Sequence, residues 1–234
     1  MNQIMLHNGD ALTILPTLTI KAQTVLTSPP YYGSDIGLLP TTWKFGNPSA
    51  LGAEETREEY IQHLVEICDE IKKVLTDDGI FWLIIGEYKE GKKGNDLLVS
   101  SLIASALENT GWHIASELIL DKDNSFGREN LKTPKIAHDK IWMLTKSDQY
   151  RYGPSISGLK SILRYPYKLG GTFYSFDTGL VSDLLLASGL TSEDIVLDPF
   201  MGVGTVGRVC KDLNVKFCGI ELNQEDFLYA QQIL

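Results

Sequence analysis

Ile195-Val196-Leu197-Asp198-Pro199-Phe200-Met201-Gly202-Val203-Gly204-Thr205 is the stretch on which the fold turns. Its first three residues are apolar and suit a strand, and Pro199 cannot continue a ladder. Two glycines follow, and the helical pattern from Thr205 to Leu213 begins directly after them. A strand running through a glycine turn into a helix is the repeating unit of an α/β sheet. Gly202 and Gly204 carry no side chains, so a ligand can approach the backbone closely. The spacing Gly-x-Gly-Thr lacks the Lys-Ser/Thr of a phosphate-cradling loop, which argues against a nucleoside triphosphate. Glu221 stands nineteen residues after Gly202, at the end of a second apolar strand, Lys216 to Ile220. A carboxylate there is placed to accept from the ribose hydroxyls of an adenosine-bearing cofactor.

The same alternation extends through the chain. Ile4-Met5-Leu6 reads as a short buried strand ending in the turn Asn8-Gly9-Asp10, with a short helix or turn from Ala11 to Leu18. Val25-Leu26-Thr27 is the next strand. Tyr60, Leu64, Ile67, Ile71 and Leu75 recur at helical spacing behind a Thr56 cap, with Asp78-Gly79 as the stop. Ile80 to Ile85 is wholly apolar, as expected of a strand covered on both faces. A helix is expected from Asn95 to about Asn109, then strands at His113 to Leu120 and Ile141 to Thr145. Tyr150 to Gly171 shows little regular structure. A helix over Asp177 to Ser188 and a terminal helix over Gln224 to Leu234 complete the pattern. These elements predict a parallel α/β sheet with helices on both faces.

A second unusual turn lies near the other end of the chain: Thr27-Ser28-Pro29-Pro30-Tyr31-Tyr32-Gly33. Two consecutive prolines stop both helix and ladder and leave carbonyls without a neighbouring N–H. These acceptors, beside the Ser28 hydroxyl and the Tyr31 ring, suit a planar ring that carries an amino group. Taken alone, the turn is better read as a Pro-Pro turn with aromatic packing. From Gly33 to Glu55 no periodicity is present, so a long loop is expected, with Trp43 and Phe45 either packed down or turned to a ligand.

The chain has 234 residues, 43% of them apolar and 22% charged, as in a globular domain. It lacks a run of ~18 apolar residues and a signal-like N-terminus, so a cytoplasmic protein without a membrane partner is expected. Cys68, Cys210 and Cys218 lack zinc-type spacing and the four histidines are scattered, so no metal is expected. The net charge is −9, yet Asp121 to Gly170 holds ten Lys/Arg against five Asp/Glu, a local +5. A basic segment on an acidic body is the pattern of a polyanion-binding face, or of a basic solvated loop.

With both end motifs in view, the chain resembles the amino-group (N4-cytosine/N6-adenine) DNA methyltransferases that use S-adenosyl-L-methionine. The resemblance is to their permuted (beta-class) order, with the Ser/Asp-Pro-Pro-Tyr motif first and Asp-Pro-Phe-x-Gly-x-Gly-Thr last. It covers nearly the whole chain, including Asn8-Gly9-Asp10-Ala11, Glu59-Tyr60 to Val74-Leu75, Asp78-Gly79 to Gly86, Ala137-His138 with Leu144 to Ser147, and Gly219-Ile220-Glu221-Leu222. It implies a Rossmann-like class I fold, a mostly parallel seven-stranded sheet in a single domain over 1–234, with a short basic target-recognition segment at about 121–171. The sites it implies are Ser28, Pro29, Pro30 and Tyr31 for catalysis. For the cofactor they are Asp10, Ala11, Ser28, Phe176, Asp198, Pro199, Phe200, Gly202, Gly204, Thr205, Glu221 and Leu222. For DNA they are Lys122, Asn124, Arg128, Lys132 and Lys135.

Two departures stand out. Where the family commonly has Trp-x-Lys-x-Asn, this chain has Leu120-Asp121-Lys122-Asp123-Asn124. Where it often has His-x-x-x-Phe-Pro, Thr172 to Asp177 stands instead, with Phe176 in place to cover the cofactor. Ser28, rather than Asp, resembles the cytosine-N4 subgroup more than the adenine-N6 one. The implied partner is double-stranded DNA, with a homodimer and a companion restriction endonuclease left open. The alternatives are adenine N6 as target, an RNA base as target, and a non-catalytic DNA-binding subunit.

Overall fold

The computed structural model describes residues 3–32, 51–86, 98–122, 134, 136–165 and 176–234. The strands are β1 (Ile4–Asn8), β2 (Ala22–Thr27), β3 (Leu75–Gly86), β4 (His113–Asp121), β5 (His138–Thr145), β6 (Ile162–Arg164), β7 (Ile195–Asp198) and β8 (Lys216–Glu221). The helices are α1 (Ala11–Ile14), α2 (Arg57–Val74), α3 (Val99–Asn109), α4 (Thr178–Ala187), α5 (Thr205–Asp212) and α6 (Gln224–Ile233), with 3-10 turns at Leu15–Thr17 and Pro154–Gly158. The strands form one sheet in the order β1-β8-β7-β2-β3-β5-β4-β6. Only β5 runs against its neighbours, pairing antiparallel with β3 and β4.

The sheet therefore has eight described strands rather than the expected seven. The addition is β6, which pairs Ile162 with Ile119 and Arg164 with Asp121 at the sheet edge. Three residues are too few for a period-2 pattern to show in sequence. The stretch from Tyr150 to Gly171 accordingly holds a 3-10 turn and a strand where little regular structure was expected.

All six residues of β2 are buried, as are the last eight of β3. Two apolar clusters explain this. One joins α1, α2 and α3 to one face of the sheet. The other joins α4, α5 and α6 to the opposite face. Central strands covered on both sides read as continuous apolar runs, which is the signal Ile80 to Ile85 carries.

Helix α2 shows how local sequence sets an element. Thr56 Oγ1 accepts from Glu59 N at 3.2 Å while Glu59 returns a carboxylate to Thr56 N at 3.0 Å, a complete capping box. Glu58 and Glu59 lie in the first turn and Lys72 and Lys73 in the last, matching the helix dipole. The helix ends at Val74, earlier than the Asp78-Gly79 stop predicted from sequence. Leu75 already pairs with Ala22, and the next match is Ile80 with Thr24, so Thr76 to Gly79 form an irregularity inside β3. Buried Gln23 satisfies it, donating to Asp78 O at 3.2 Å and accepting from Thr76 Oγ1 at 3.0 Å. Helix α3 begins at Val99 among the described residues; Asn95 lies outside them, as do Trp43 and Phe45.

Candidate active site

The connectivity reverses between β7 and β2, which lie side by side with Thr24 opposite Val196 and Val25 opposite Leu197. In α/β sheets such a switch point opens a crevice beyond the carboxyl ends of the strands. The Ser-Pro-Pro-Tyr turn leaves β2 there and the glycine turn leaves β7. The two are tied directly: Thr27 Oγ1 donates to Asp198 Oδ1 at 2.6 Å, with both residues buried. Asp198 Oδ1 also accepts from Phe200 N at 3.1 Å, fixing the start of the glycine turn.

On the β7 side the turns are held mainly by backbone. Met201 N donates to Ile220 O, and Gly9 N and Asn8 Nδ2 both donate to Glu221 O, so three strand ends meet at the end of β8. The Glu221 carboxylate accepts from Gly202 N at 2.8 Å and from Asn223 N at 2.7 Å. Asp10 Oδ1 caps α1 through Leu12 N and Thr13 N, and Ala11 is buried beneath it. Burial pushes the Glu221 and Asp198 carboxyls up to about 7, against the hydrogen bonds that favour their charged forms.

The two glycines have different roles. Gly202 has φ +53 and nothing within 4 Å of where a Cβ would stand, so it leaves open space beside the Glu221 carboxylate. Gly204 has φ +84, but its missing Cβ makes room for α6, with Ala230 Cβ at 3.2 Å and Leu234 Cδ1 at 3.0 Å. Pro199 is buried, Phe200 packs on the α1–α3 cluster, Thr205 opens α5, and Phe176 packs on the opposite cluster. Leu222 directly follows Glu221 and is partly buried. An acceptor pair, an open glycine and a capped turn at one crevice fit a ligand with ribose hydroxyls.

On the β2 side the turn is held by side chains from distant elements. Tyr60 of α2 donates to Pro30 O at 2.8 Å and so fixes the turn against that helix. Ser28 Oγ donates to Tyr31 OH at 2.9 Å. The Tyr31 ring lies over Gly86 at the end of β3, where an added Cβ would stand 2.5 Å from Cε2. Asp139 of β5 reaches the same spot, its Oδ2 at 3.5 Å from Tyr31 OH and 2.5 Å from Lys122 Nζ. Asp139 was not singled out in sequence. Its signal was an acid at the head of a strand whose remaining residues are largely apolar, a place where charge needs a partner.

The basic segment is more neutral than its composition implies. Lys122, Lys140, Lys146, Arg151 and Arg164 pair with Asp139, Glu117, Asp77, Asp194 and Asp121 respectively. Asn124, Arg128, Lys132 and Lys135 lie outside the described residues. Among the described residues no cluster of three or more His, Cys, Asp or Glu is placed to hold a metal, and no helix is long and apolar enough to cross a membrane. The three cysteines are buried and free, and burial raises the Cys218 thiol to about 12, so none is poised as a nucleophile.

The fold recurs in solved structures. PvuII DNA methyltransferase (cytosine-N4-specific) superposes with a TM-score of 0.80 at 16% identity, over 99% of this chain and 86% of that one. The M1.HpyAVI–SAM complex superposes with a TM-score of 0.69 at 21% identity, over 99% and 100%. In sequence, the Type II methyltransferase M.XycI of Xanthomonas campestris pv. cyanopsidis is 33% identical over 94% of this chain and 84% of its own length. M.Cfr9I of Citrobacter freundii is 31% identical over 96% and 85%. The profile of the N6/N4 DNA methylases matches residues 22–232. This chain is a member of the N6/N4 DNA methylase family.

Proposed function

We propose that the chain methylates the N4 amino group of cytosine in double-stranded DNA, with Ser28, Pro29, Pro30 and Tyr31 holding the base. The observation that carries this is the Thr27–Asp198 hydrogen bond, which sets the amino-holding turn beside the glycine turn. S-adenosyl-L-methionine is the methyl donor of this family, and when bound it supplies an electrophilic methyl group. Glu221 would accept from its ribose hydroxyls, Gly202 would let it approach the backbone, and Asp10 and Phe176 would flank it. An aryl amine is a poor nucleophile because its lone pair is delocalised into the ring. Ser28 Oγ and Pro29 O, as acceptors, would favour a pyramidal nitrogen and stabilise the positive charge that develops on it. The target must leave the duplex to reach this turn, with the Tyr31 ring replacing its stacking neighbours.

Ser28 in place of Asp supports cytosine, and the PvuII enzyme that shares this fold is named for cytosine N4. The DNA-facing role falls to the segment at about 121–171 within a single domain, with Arg128, Lys132 and Lys135 as its phosphate contacts. The Type II names of the relatives support a companion restriction endonuclease. Nucleoside mass spectrometry of DNA treated with the purified chain and S-adenosyl-L-methionine tests the target. N4-methylcytosine is expected; N6-methyladenine as the only product overturns the cytosine assignment.

A further inference from the structure

We propose that Asp139 is a positioning residue for methyl transfer, acting through the Tyr31 hydroxyl to keep Ser28 Oγ an acceptor toward the target amino group. The inference rests on the function proposed above and adds a residue from β5, on the far side of β3 from the Ser-Pro-Pro-Tyr turn.

A serine hydroxyl can donate or accept, and only the accepting form helps a reacting amine. An amino group that meets the Ser28 proton instead gives up its lone pair to that bond. Something must therefore engage the Ser28 proton elsewhere. In this structure Ser28 Oγ lies 2.9 Å from Tyr31 OH, within reach to donate its proton there. Tyr31 can accept it only if its own single proton is directed to another acceptor. The Asp139 carboxylate is placed to be that acceptor, with Oδ2 3.5 Å from Tyr31 OH, longer than the usual O–H···O distance and short enough for a small shift to close. A carboxylate accepts and does not donate, so it sets the direction of the whole chain: Ser28 to Tyr31 to Asp139.

Two features hold Asp139 for this role. It is buried, and Lys122 Nζ sits 2.5 Å from the same Oδ2. A buried carboxylate needs such a partner, and the pair clamps the acceptor in one place. Gly86 is the second feature. A Cβ there would stand 2.9 Å from Asp139 Oδ1 and within 2.8 Å of two Tyr31 ring carbons, so the absence of a side chain is what lets the acid and the ring meet. Lys122, expected from the resemblance to contact DNA, is on this reading part of the support for the turn.

The test compares Tyr31→Phe, Asp139→Asn and the double variant in single-turnover methyl transfer at saturating S-adenosyl-L-methionine and DNA. Tyr31→Phe keeps the ring on Gly86 and leaves the Asp139–Lys122 pair intact, so it stays informative if Asp139→Asn folds poorly. Each single variant is expected to slow transfer by about tenfold to a hundredfold, the usual cost of a misaligned reacting group. Cofactor affinity and the KM for DNA should stay within about twofold, since lost orientation acts on the transition state rather than on ground-state binding. The double variant should be no slower than Tyr31→Phe, because both changes break one chain. Tyr31→Phe at the wild-type rate, or rate losses that multiply in the double variant, overturns the proposal. A wild-type chain that transfers no methyl group to DNA would instead remove the function on which it rests.

Discussion

The two halves of the sheet build their sites by different means. At the ends of β1, β8 and β7, backbone groups do most of the holding: Gly9 N to Glu221 O, Met201 N to Ile220 O, Gly202 N and Asn223 N to the Glu221 carboxylate. At the ends of β2, β3 and β5, side chains far apart in sequence hold the turn: Tyr60 on Pro30, and Asp139 with Lys122 beneath Tyr31. A site of backbone amides suits a ligand that is always the same. A site held by distant side chains changes whenever one of them is replaced. The hydrogen bond from Thr27 to Asp198 joins the two directly.

The sharpest way to break this comparison is to damage each half separately. Glu221→Ala removes the acceptor proposed for the cofactor's hydroxyls and should weaken S-adenosyl-L-methionine binding by about 1–3 kcal/mol, the cost of leaving polar partners unpaired. Calorimetry reads this directly, and the rate at saturating cofactor should change far less than the affinity. Tyr31→Ala should do the reverse. It removes both the stacking surface and the link to Asp139, so turnover should fall at least about tenfold, given that stacking is worth ~1–3 kcal/mol per base. Its cofactor affinity should match wild type. A variant of either half that loses both properties together would mean the halves are one cooperative unit.

This division also decides how much could be read from sequence. The β7 side was legible because its cues are local: a strand, a proline, two glycines at positive φ and an acid at the next strand end. The α2 cap was legible for the same reason. The β2 turn was legible as a motif, but its supports were not, since Tyr60 of α2 and Asp139 of β5 approach it only through tertiary packing, across 30 and 108 positions of sequence. Gln23 and its irregularity in β3 were hidden likewise, because a glutamine in an apolar run does not reveal which backbone groups it will satisfy. The charge count over 121–170 gave an excess, but not that five of its cations meet acids within the fold.

A pH titration sharpens the comparison on the cofactor side. Burial raises Asp198 and Glu221 from 3.8 and 4.5 to about 7. Groups raised on folding contribute stability that is present below their unfolded values and is lost as pH rises toward about 7. Hydroxyls donating to Glu221 favour its charged form, so binding must expel a proton below about 7. S-adenosyl-L-methionine affinity should therefore fall on acidification below that point, by at most about tenfold per pH unit for one proton. Affinity that stays flat from pH 8 to 5.5 would show that Glu221 does not accept from the cofactor.

The smallest expected effect lies under the Ser-Pro-Pro-Tyr turn. His63 of α2 bonds Glu54 Oε1 through Nδ1 at 2.7 Å, while Glu54 Oε2 accepts from Gly52 N at 2.8 Å. A Cβ added at Gly52, φ +94, would stand 3.2 Å from Pro30 Cβ, so this clasp lies close against the turn. The bond to Glu54 raises the His63 pKa above 6.5, outweighing partial burial, with Asp10 and Glu66 adding smaller attractions. A raised histidine stabilises the fold fully below its unfolded value, and that contribution is lost as pH rises through the folded one. Urea unfolding of wild type and His63→Gln should differ by less than about 1 kcal/mol near pH 6, given solvent screening of a partly exposed pair. The difference should shrink by pH 8.5. A gap that widens with pH would mean the imidazole acts here as a neutral acceptor or packing group and not as a cation on Glu54. In that case the clasp would owe nothing to charge, and both halves of the site would depend on pH through the cofactor acids alone.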